Sequence, residues 1–340
     1  MKIGTDQYNT FDTMTMDCWN DRVYYEGKEF PAGQFAAEIL NFAGVIHDPL
    51  LERITVLTAL VDDLSTAEKS KRHDIAAQLK PLLHDTVSWL YTCPPFCYCE
   101  SQSAYEDLEH ALSEERLDRD YEEGEAHLPY LALSSCEPIL RILVAIYNFC
   151  LLIRAFEKKY LRRAKRRNAD AFAKAAHECF DEDDSFLILL EQMPFGGVEE
   201  FFSYPRIITG FNYFQDENDE EKWKTAQRVI CKRAIDFYVF DLMNGLHHGH
   251  APSQCQGCGR YFLTTSGHIP KYCDGIATQD SRYTCRQYGA MMHQKEQNKQ
   301  HPVYRLFNTR TDTIRKHHWR GKISDELRQE ALCLAGNYRD

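Results

Sequence analysis

The 340-residue sequence has no uninterrupted apolar run long enough to cross a bilayer. Its most apolar stretch, Ile139–Ile153, carries Arg141 inside it and is followed by Arg154, and it falls short of the ~20 residues a spanning helix needs. A buried core helix is expected there, and a mean hydropathy of −0.51 excludes a polytopic membrane protein. Residues Met1–Asn20 show no apolar segment behind a basic one, so no secretory signal is expected and the cytoplasm is the predicted compartment. A Walker phosphate loop, a dinucleotide fingerprint, an HExxH pair and a G-x-S-x-G turn are all missing, which removes the usual signatures of nucleotide, dinucleotide, zinc-peptidase and serine-hydrolase chemistry. Asp181–Asp184 and Asp216–Glu221 supply carboxylates for Mg²⁺ and phosphodiester chemistry, but spacing fixes no basic or nucleophilic partner for them. An enzyme is therefore the least favoured class. Internal repeats and long low-complexity stretches are also lacking.

What is present is enough for a real core, with 44% hydrophobic and 27% charged residues. Thirteen cysteines are too few in so long a chain for a disulfide scaffold. In a reducing compartment, clustered pairs among them point to metal. The net charge of −11 conceals a division. Residues 255–340 hold 14 Lys and Arg against 8 Asp and Glu, while the preceding 254 residues hold 26 against 43. An acidic body is thus joined to a basic tail, whose excess lies mainly in Arg286–Lys322. Such asymmetry suits either nucleic acid or a tail docked on its own body.

The expected fold is mainly α. Val23–Phe30 reads as a small hairpin, and Pro31 suits the first turn of a helix through Ala32–Phe42. Leu50, Leu51, Ile54, Leu57, Leu60, Val61 and Leu64 recur at helical spacing, and a further helix runs from Ile75 to Tyr91, kinked or broken near Pro81. Tyr105–Glu125, with ten acidic residues and two Arg, reads as a solvated helix or flexible segment. A long helix is expected from Ile139 to about Arg167, basic in its second half. Phe201–Phe214 reads as extended chain. Trp223, Ala226, Ile230, Ala234 and Phe237 mark the buried side of a helix that stops at Asn244-Gly245. The linker-like Gly245–Gln254 divides an acidic helical body, residues 1–250, from a finger and basic helices, residues 251–340.

After that linker come Cys255-Gln-Gly-Cys258, Cys273 and Cys285. The two-residue gap lets the backbone turn so that both sulfurs of a pair reach one ion, and Zn²⁺ takes four thiolates tetrahedrally at about 2.3 Å. Gly257 and Gly259 permit the tight turn. Arg260–Thr265 and His268–Cys273 read as a hairpin returning Cys273 to the first pair, and Cys285 opens a helix. This order predicts a small treble-clef-like finger, with one structural Zn²⁺ and no open coordination position. His268 or His293 is the alternative for one ligand, and Lys271, Arg260 and Arg286 lie near enough in sequence to offset the thiolate charge. Cys93, Cys97 and Cys99, beside Pro94-Pro95, are either a second metal or redox site or free thiols in a packed loop. His247-His248-x-His250 is either an adventitious metal site or a linker cluster.

Cys-Gly-Arg-Tyr-Phe, Tyr-Cys-Asp and Thr-Cys-Arg-x-x-Gly-Ala, with Arg320-Gly-Lys-Ile-Ser324, resemble the finger of an uncharacterised bacterial domain-of-unknown-function family. More distantly they are similar to the CGNR-type zinc finger of bacterial transcription regulators. There the last cysteine is followed by Gly-Asn-Arg, whereas here Cys285 is followed by Arg286-Gln287-Tyr288. The second resemblance implies DNA binding and a regulatory role, bacterial or carried by a mobile element.

Beyond Pro302, residues 100° apart place Tyr304, Phe307, Thr311, Ile314 and His318 in one arc of a helix ending near Trp319. Arg305, Thr309, Thr313, Lys316 and Arg320 fall opposite, and Ser324 caps a last helix. With Arg286, Lys295, Lys299 and Lys322, that opposite side supplies the candidate contacts to phosphates of DNA or RNA. The sequence therefore predicts a zinc-stabilised nucleic-acid-binding protein. The alternative is a protein-interaction module in which the acidic body binds a protein partner and the zinc is only a staple.

Overall fold

Alternating apolar residues in the first described segment put Met14 and Met16 on one face of a strand and Thr15 and Asp17 on the other. The computed structural model describes residues 13–43, 49–99, 102–118, 121–123, 126–128, 130–184, 186, 188, 207–216, 219–267 and 270–337. Strands β1 (Met14–Trp19), β2 (Arg22–Tyr25) and β3 (Lys28–Pro31) form an antiparallel meander, with Cys18 opposite Val23 and Tyr24 opposite Glu29. The expected hairpin at Val23–Phe30 is there. Pro31, however, closes β3 opposite Arg22, and helix α1 (Gln34–Ile39) starts only after Gly33, whose φ is +88°. Proline is tolerated on an outer strand because no ladder N–H is needed from it.

Helices α2 (Pro49–Thr66), α3 (Lys69–Leu90), α4 (Gln102–Ala111) and α5 (Glu114–Leu117) follow, with α3 continuing through Pro81. A two-strand hairpin, β4 (Tyr121–Glu123) and β5 (Ala126–Leu128), leads to α6 (Tyr130–Lys159). This central helix buries Ile139, Leu143, Ile146, Phe149, Ile153 and Phe156 against α2 and its other neighbours. By length and composition Ala132–Arg163 would cross a bilayer, but 67% of its apolar window is buried within the protein itself.

The helix ends earlier than the basic run Lys158–Arg167 suggested, and three of the run's seven cations are engaged within the body. Arg162 pairs with buried Glu157 at 2.9 Å, Lys159 with Asp183 at 2.5 Å, and Arg167 is buried over the ring of Phe172. Asn168 then caps α7 (Ala169–Phe180) by accepting from the N–H of Ala171.

The expected helix over Trp223–Ile230 is instead a strand. β6 (Ile207–Asp216) and β7 (Asp219–Cys231) form a long antiparallel hairpin, and β7 also pairs with β1, giving the order β3-β2-β1-β7-β6. Buried Asp17 accepts a bidentate pair of bonds at 2.9 Å from its cross-strand partner Arg228 and one at 2.8 Å from Asn212. Helix α8 (Ala234–His247) runs past Asn244-Gly245. Gly245 is a packing residue rather than a stop, since a Cβ there would lie 2.8 Å from the Gly33 Cα. Asp241, fully buried on the same helix, accepts the N–H groups of Gly33 and Ala36 at 2.9 Å and so caps α1 from a distance.

Gly245–Gln254 is not a solvated linker. Ala251 is fully buried in β8 (Ala251–Gln254), and buried His250 donates from Nδ1 to the Ala32 carbonyl at 3.0 Å. The strand β9 (Tyr261–Thr264) pairs with β8. The chain packs as two compact units, Met1–Ser253 with Arg260–Ile269, and Gln254–Gly259 with Pro270–Asp340. In the second lie α9 (Cys285–Gln300), α10 (Pro302–Trp319) and α11 (Asp325–Asn337).

A candidate metal centre of four cysteines

Cys255 follows β8 directly, and the chain turns at once. The N–H of Gly259 donates to the Cys255 carbonyl at 3.0 Å, and Gly259 adopts a φ of +75°, a region that favours glycine. Gly257 lets another ligand approach, because a Cβ on it would meet the Cys285 Sγ at 3.3 Å. The strand expected to return Cys273 does not form: residues 270–273 are irregular, and 268 and 269 lie outside the described residues. The hairpin partner of β9 is β8, so the Cys255–Cys258 turn lies between the two strands in sequence, before the third ligand.

Backbone hydrogen bonds bring Cys273 in instead. The N–H of Gln256 donates to the Lys271 carbonyl at 2.8 Å, and the N–H of Cys273 points at the Cys255 Sγ at 3.4 Å. The loop onward is pinned by an Ile276–Thr284 bridge, and Cys285 and Arg286 donate to the carbonyls of Gly275 and Cys273. Thr284 caps α9 in a reciprocal capping box with Gln287, which fixes Cys285 as the first helical residue. Tyr272 packs on the same helix at Gly289.

The result is four sulfurs within 4.8 Å of one another. Cys255, Cys273 and Cys285 are buried and Cys258 is half-buried. Cys258 and Cys273 lie 3.7 Å apart, against about 2.05 Å for a disulfide and about 3.8 Å between two corners of a tetrahedral site with 2.3 Å metal–sulfur bonds. The spacing therefore fits four ligands around one ion. Burial pushes the Cys255 thiol up, but the N–H groups of Cys258, Cys273 and Gly257 outweigh it and bring it down to about 7. Burial raises Cys273 to about 11, and burial with three neighbouring sulfurs raises Cys285 further. Four thiolates so close repel one another, and a cation at their centre removes that conflict.

This unit has little else to hold it. Among its described residues the buried apolar side chains are Cys255, Cys273, Ala277 and Cys285. In α10 the inner arc is as expected: Thr311 is buried, and Tyr304, Phe307, Ile314 and His318 are half-buried. Arg320-Gly-Lys-Ile-Ser324 has a physical role. Gly321, at φ +65°, ends α10 with the N–H groups of Gly321 and Lys322 donating to the carbonyls of His318 and His317, and Ser324 accepts from Leu327 to cap α11.

The candidate nucleic-acid contacts Arg286, Lys295, Lys299, Arg305, Thr309, Lys316, Arg320 and Lys322 are all exposed. Arg286 pairs with Asp274 at 2.9 Å and Lys299 with Glu296 at 3.2 Å, whereas no described carboxylate pairs with the other cations of the set. The Thr309 hydroxyl donates to the Arg305 carbonyl, leaving it an acceptor. A groove of about 680 Å³, which motif reading did not anticipate, runs between α9 and α10, lined by Lys295, Asn298, Lys299, Tyr304 and Asn308 among others. It depends on how two helices meet.

Among the described residues, the four cysteines are the only cluster of three or more His, Cys, Asp or Glu groups placed to hold an ion. Cys93, Cys97 and Cys99 do not converge: Cys93 Sγ faces the Trp89 carbonyl, Cys99 Sγ lies 3.2 Å from the Tyr25 hydroxyl, and Cys97 is exposed. The three histidines do not converge either, with His250 turned to Ala32. Of the carboxylates proposed for Mg²⁺, Asp181 pairs with His177 and Asp183 with Lys159, and the side chains of 216–221 lie outside the described residues. His293 is exposed and stands outside the sulfur cluster, and His268 lies outside the described residues. No curated protein and no solved structure matches the chain. Residues 203–340, from just before β6 through the four cysteines to the tail helices, match a family of unknown function, DUF6076.

Proposed function

We propose that the chain is a zinc-stabilised nucleic-acid-binding protein. One structural Zn²⁺ on Cys255, Cys258, Cys273 and Cys285 orders the second unit, and the exposed side of α10 with the adjoining groove engages DNA or RNA. Four soft sulfur donors within 4.8 Å of one another favour Zn²⁺ and leave no position for a reacting water, so the ion is a staple rather than a catalyst.

The observation that carries the reading is a row of uncommitted cations. Arg305, Lys316 and Arg320 stand exposed opposite buried Thr311, and exposed Lys322 and Lys295, the latter lining the groove, likewise have no described carboxylate partner. Evenly solvated surfaces usually interleave both signs, and Arg and Lys in this arrangement suit phosphate oxygens. In the groove, Tyr304 offers a ring for stacking, and Asn298 and Asn308 offer amides to base edges.

Fluorescence anisotropy of the zinc-loaded chain with random duplex and single-stranded pools tests this. Five phosphate contacts give a log–log salt slope of about −4.5 on duplex. Reversing Arg305, Lys316 and Arg320 to Glu abolishes binding while zinc content stays unchanged. No salt-sensitive binding to any DNA or RNA pool overturns the reading and leaves the alternative, a zinc staple beside an acidic body that binds a protein partner.

A further inference from the structure

Among the described strands β6 is the outer member of its sheet. It runs ten residues, Ile207–Asp216, with no Lys, Arg, Glu or Pro, and its one charge is the terminal Asp216. Outer strands of this length are ordinarily blunted by lysine, proline or brevity, because their free N–H and C=O groups recruit another strand.

One face of the hairpin is open as well. Thr209, Phe211 and Tyr213 share it with their partners Val229, Gln227 and Thr225, and with Trp223. Toward β1 this face is core, with Val229 and Cys231 buried opposite Met16 and Met14. Farther along it emerges into solvent: Phe211 is 73% exposed, Tyr213 64% and Trp223 59%. None of these residues is charged, so the surface offers nothing to phosphate or to a charged peptide.

We infer that β6 pairs with β6 of a second copy of this chain, antiparallel about a two-fold axis at Asn212, joining two sheets into one. An axis perpendicular to the sheet keeps each face on its own side, so the open faces of both copies merge. Phe211 of each copy then stands opposite Tyr213 of the other, an aromatic cross-strand pair made twice. The charges agree with the antiparallel sense. Asp216 ends β6, and Asp219, Glu220 and Glu221 open β7 ahead of Lys222 and Lys224, so these strand ends carry four acidic residues against two basic ones, whereas Arg206 precedes β6 in sequence and Lys232 follows β7. Antiparallel pairing sets the acidic end of one strand beside the basic end of the other, and parallel pairing would set like charges together. At about 200 Å² per ring, the three aromatics expose on the order of 400 Å² per copy. Edge pairing leaves that face open, so Phe211 and Tyr213 beside the joint bury only their flanks against the second copy and the backbone ladder supplies the rest of the contact. The inference stands apart from the nucleic-acid reading and needs none of its residues.

Sedimentation velocity on the full metal-loaded chain across a wide concentration series tests it. The wild type forms dimers, and F211K/Y213K raises the dimer dissociation constant at least about tenfold, since two charges enter each copy of the joined face. Metal content and the far-ultraviolet dichroism stay unchanged, because both side chains are more than half exposed. Hydrogen exchange provides a readout on the unaltered chain: amides 207–216 gain protection as concentration rises. A wild type that is monomeric throughout, a dimer indifferent to F211K/Y213K, or β6 amides unaffected by concentration overturns it.

Discussion

Gly289→Ala puts the link between helix packing and metal binding under direct strain. A Cβ on Gly289 would lie 2.4, 2.5 and 2.6 Å from three ring atoms of Tyr272. Ordinary contacts begin near 3.4 Å, so the ring must move by about 1 Å. Tyr272 immediately precedes the ligand Cys273, so that movement is transmitted to the sulfur cluster. Overpacking of this kind costs about 1–3 kcal/mol, and replacing a helical glycine returns about 1 kcal/mol. The net loss is up to about 2 kcal/mol, which lowers metal affinity by up to about 30-fold because binding and folding of this small unit are coupled. Gly336 serves as the matched control: it is helical, nothing lies within 4 Å of its would-be Cβ, and Gly336→Ala should stabilise by about 0.5 kcal/mol. Competition with a chromogenic chelator reads both variants in the same unit. Adding Tyr272→Ala to Gly289→Ala should recover much of the loss, giving a non-zero coupling in the double-mutant cycle. The reasoning fails if Gly289→Ala binds metal as tightly as wild type, or if Tyr272→Ala does nothing for it.

Two further predictions concern the first unit. Burial pushes the Asp241 carboxyl up to about 7 from 3.8, against the opposing pull of the Ala36 and Gly33 N–H groups. The folded chain therefore holds this proton more tightly than the unfolded chain, and the stabilisation is complete below about pH 4 and lost as pH rises through about 7. Urea midpoints should fall between about pH 4 and about pH 7 in wild type, and Asp241→Asn should flatten that dependence; an unchanged dependence in the variant refutes it. In the sheet, Arg228→Met strands Asp17, whose side chain is 6% exposed, with the Asn212 amide still donating to it. The expected cost is about 3 kcal/mol in a urea melt, and a loss under about 1 kcal/mol contradicts it.

The convergence of the four cysteines was legible because a two-residue gap and a helix start are local features. The inner arc of α10 was legible for the same reason, a 100° repeat within one element. The β6–β7 hairpin was not. β7 lies between β1 and β6, and near its base both faces are covered, so Ala226 is buried on one face and Val229 on the other. The apolar Trp223, Ala226, Ile230, Ala234 and Phe237 fall three or four residues apart and imitate a helix, although the β-branched Thr225, Val229 and Ile230 pointed to a strand. Gly245 and Pro31 were misread as helix punctuation because their roles, close approach to Gly33 and a place on an outer strand, are set by partners distant or across a turn. The same holds for Asp241, whose bonds to α1 span more than two hundred residues.

The central claim is that one metal ion on Cys255, Cys258, Cys273 and Cys285 holds the second unit together. Metal analysis of the purified full chain, alongside Cys258→Ser and a triple Cys93→Ser, Cys97→Ser, Cys99→Ser variant, tests it most directly. The account predicts one zinc per chain in wild type and in the triple variant, and its loss in Cys258→Ser. A wild type without stoichiometric metal, or metal that survives Cys258→Ser and leaves with the triple variant, contradicts it.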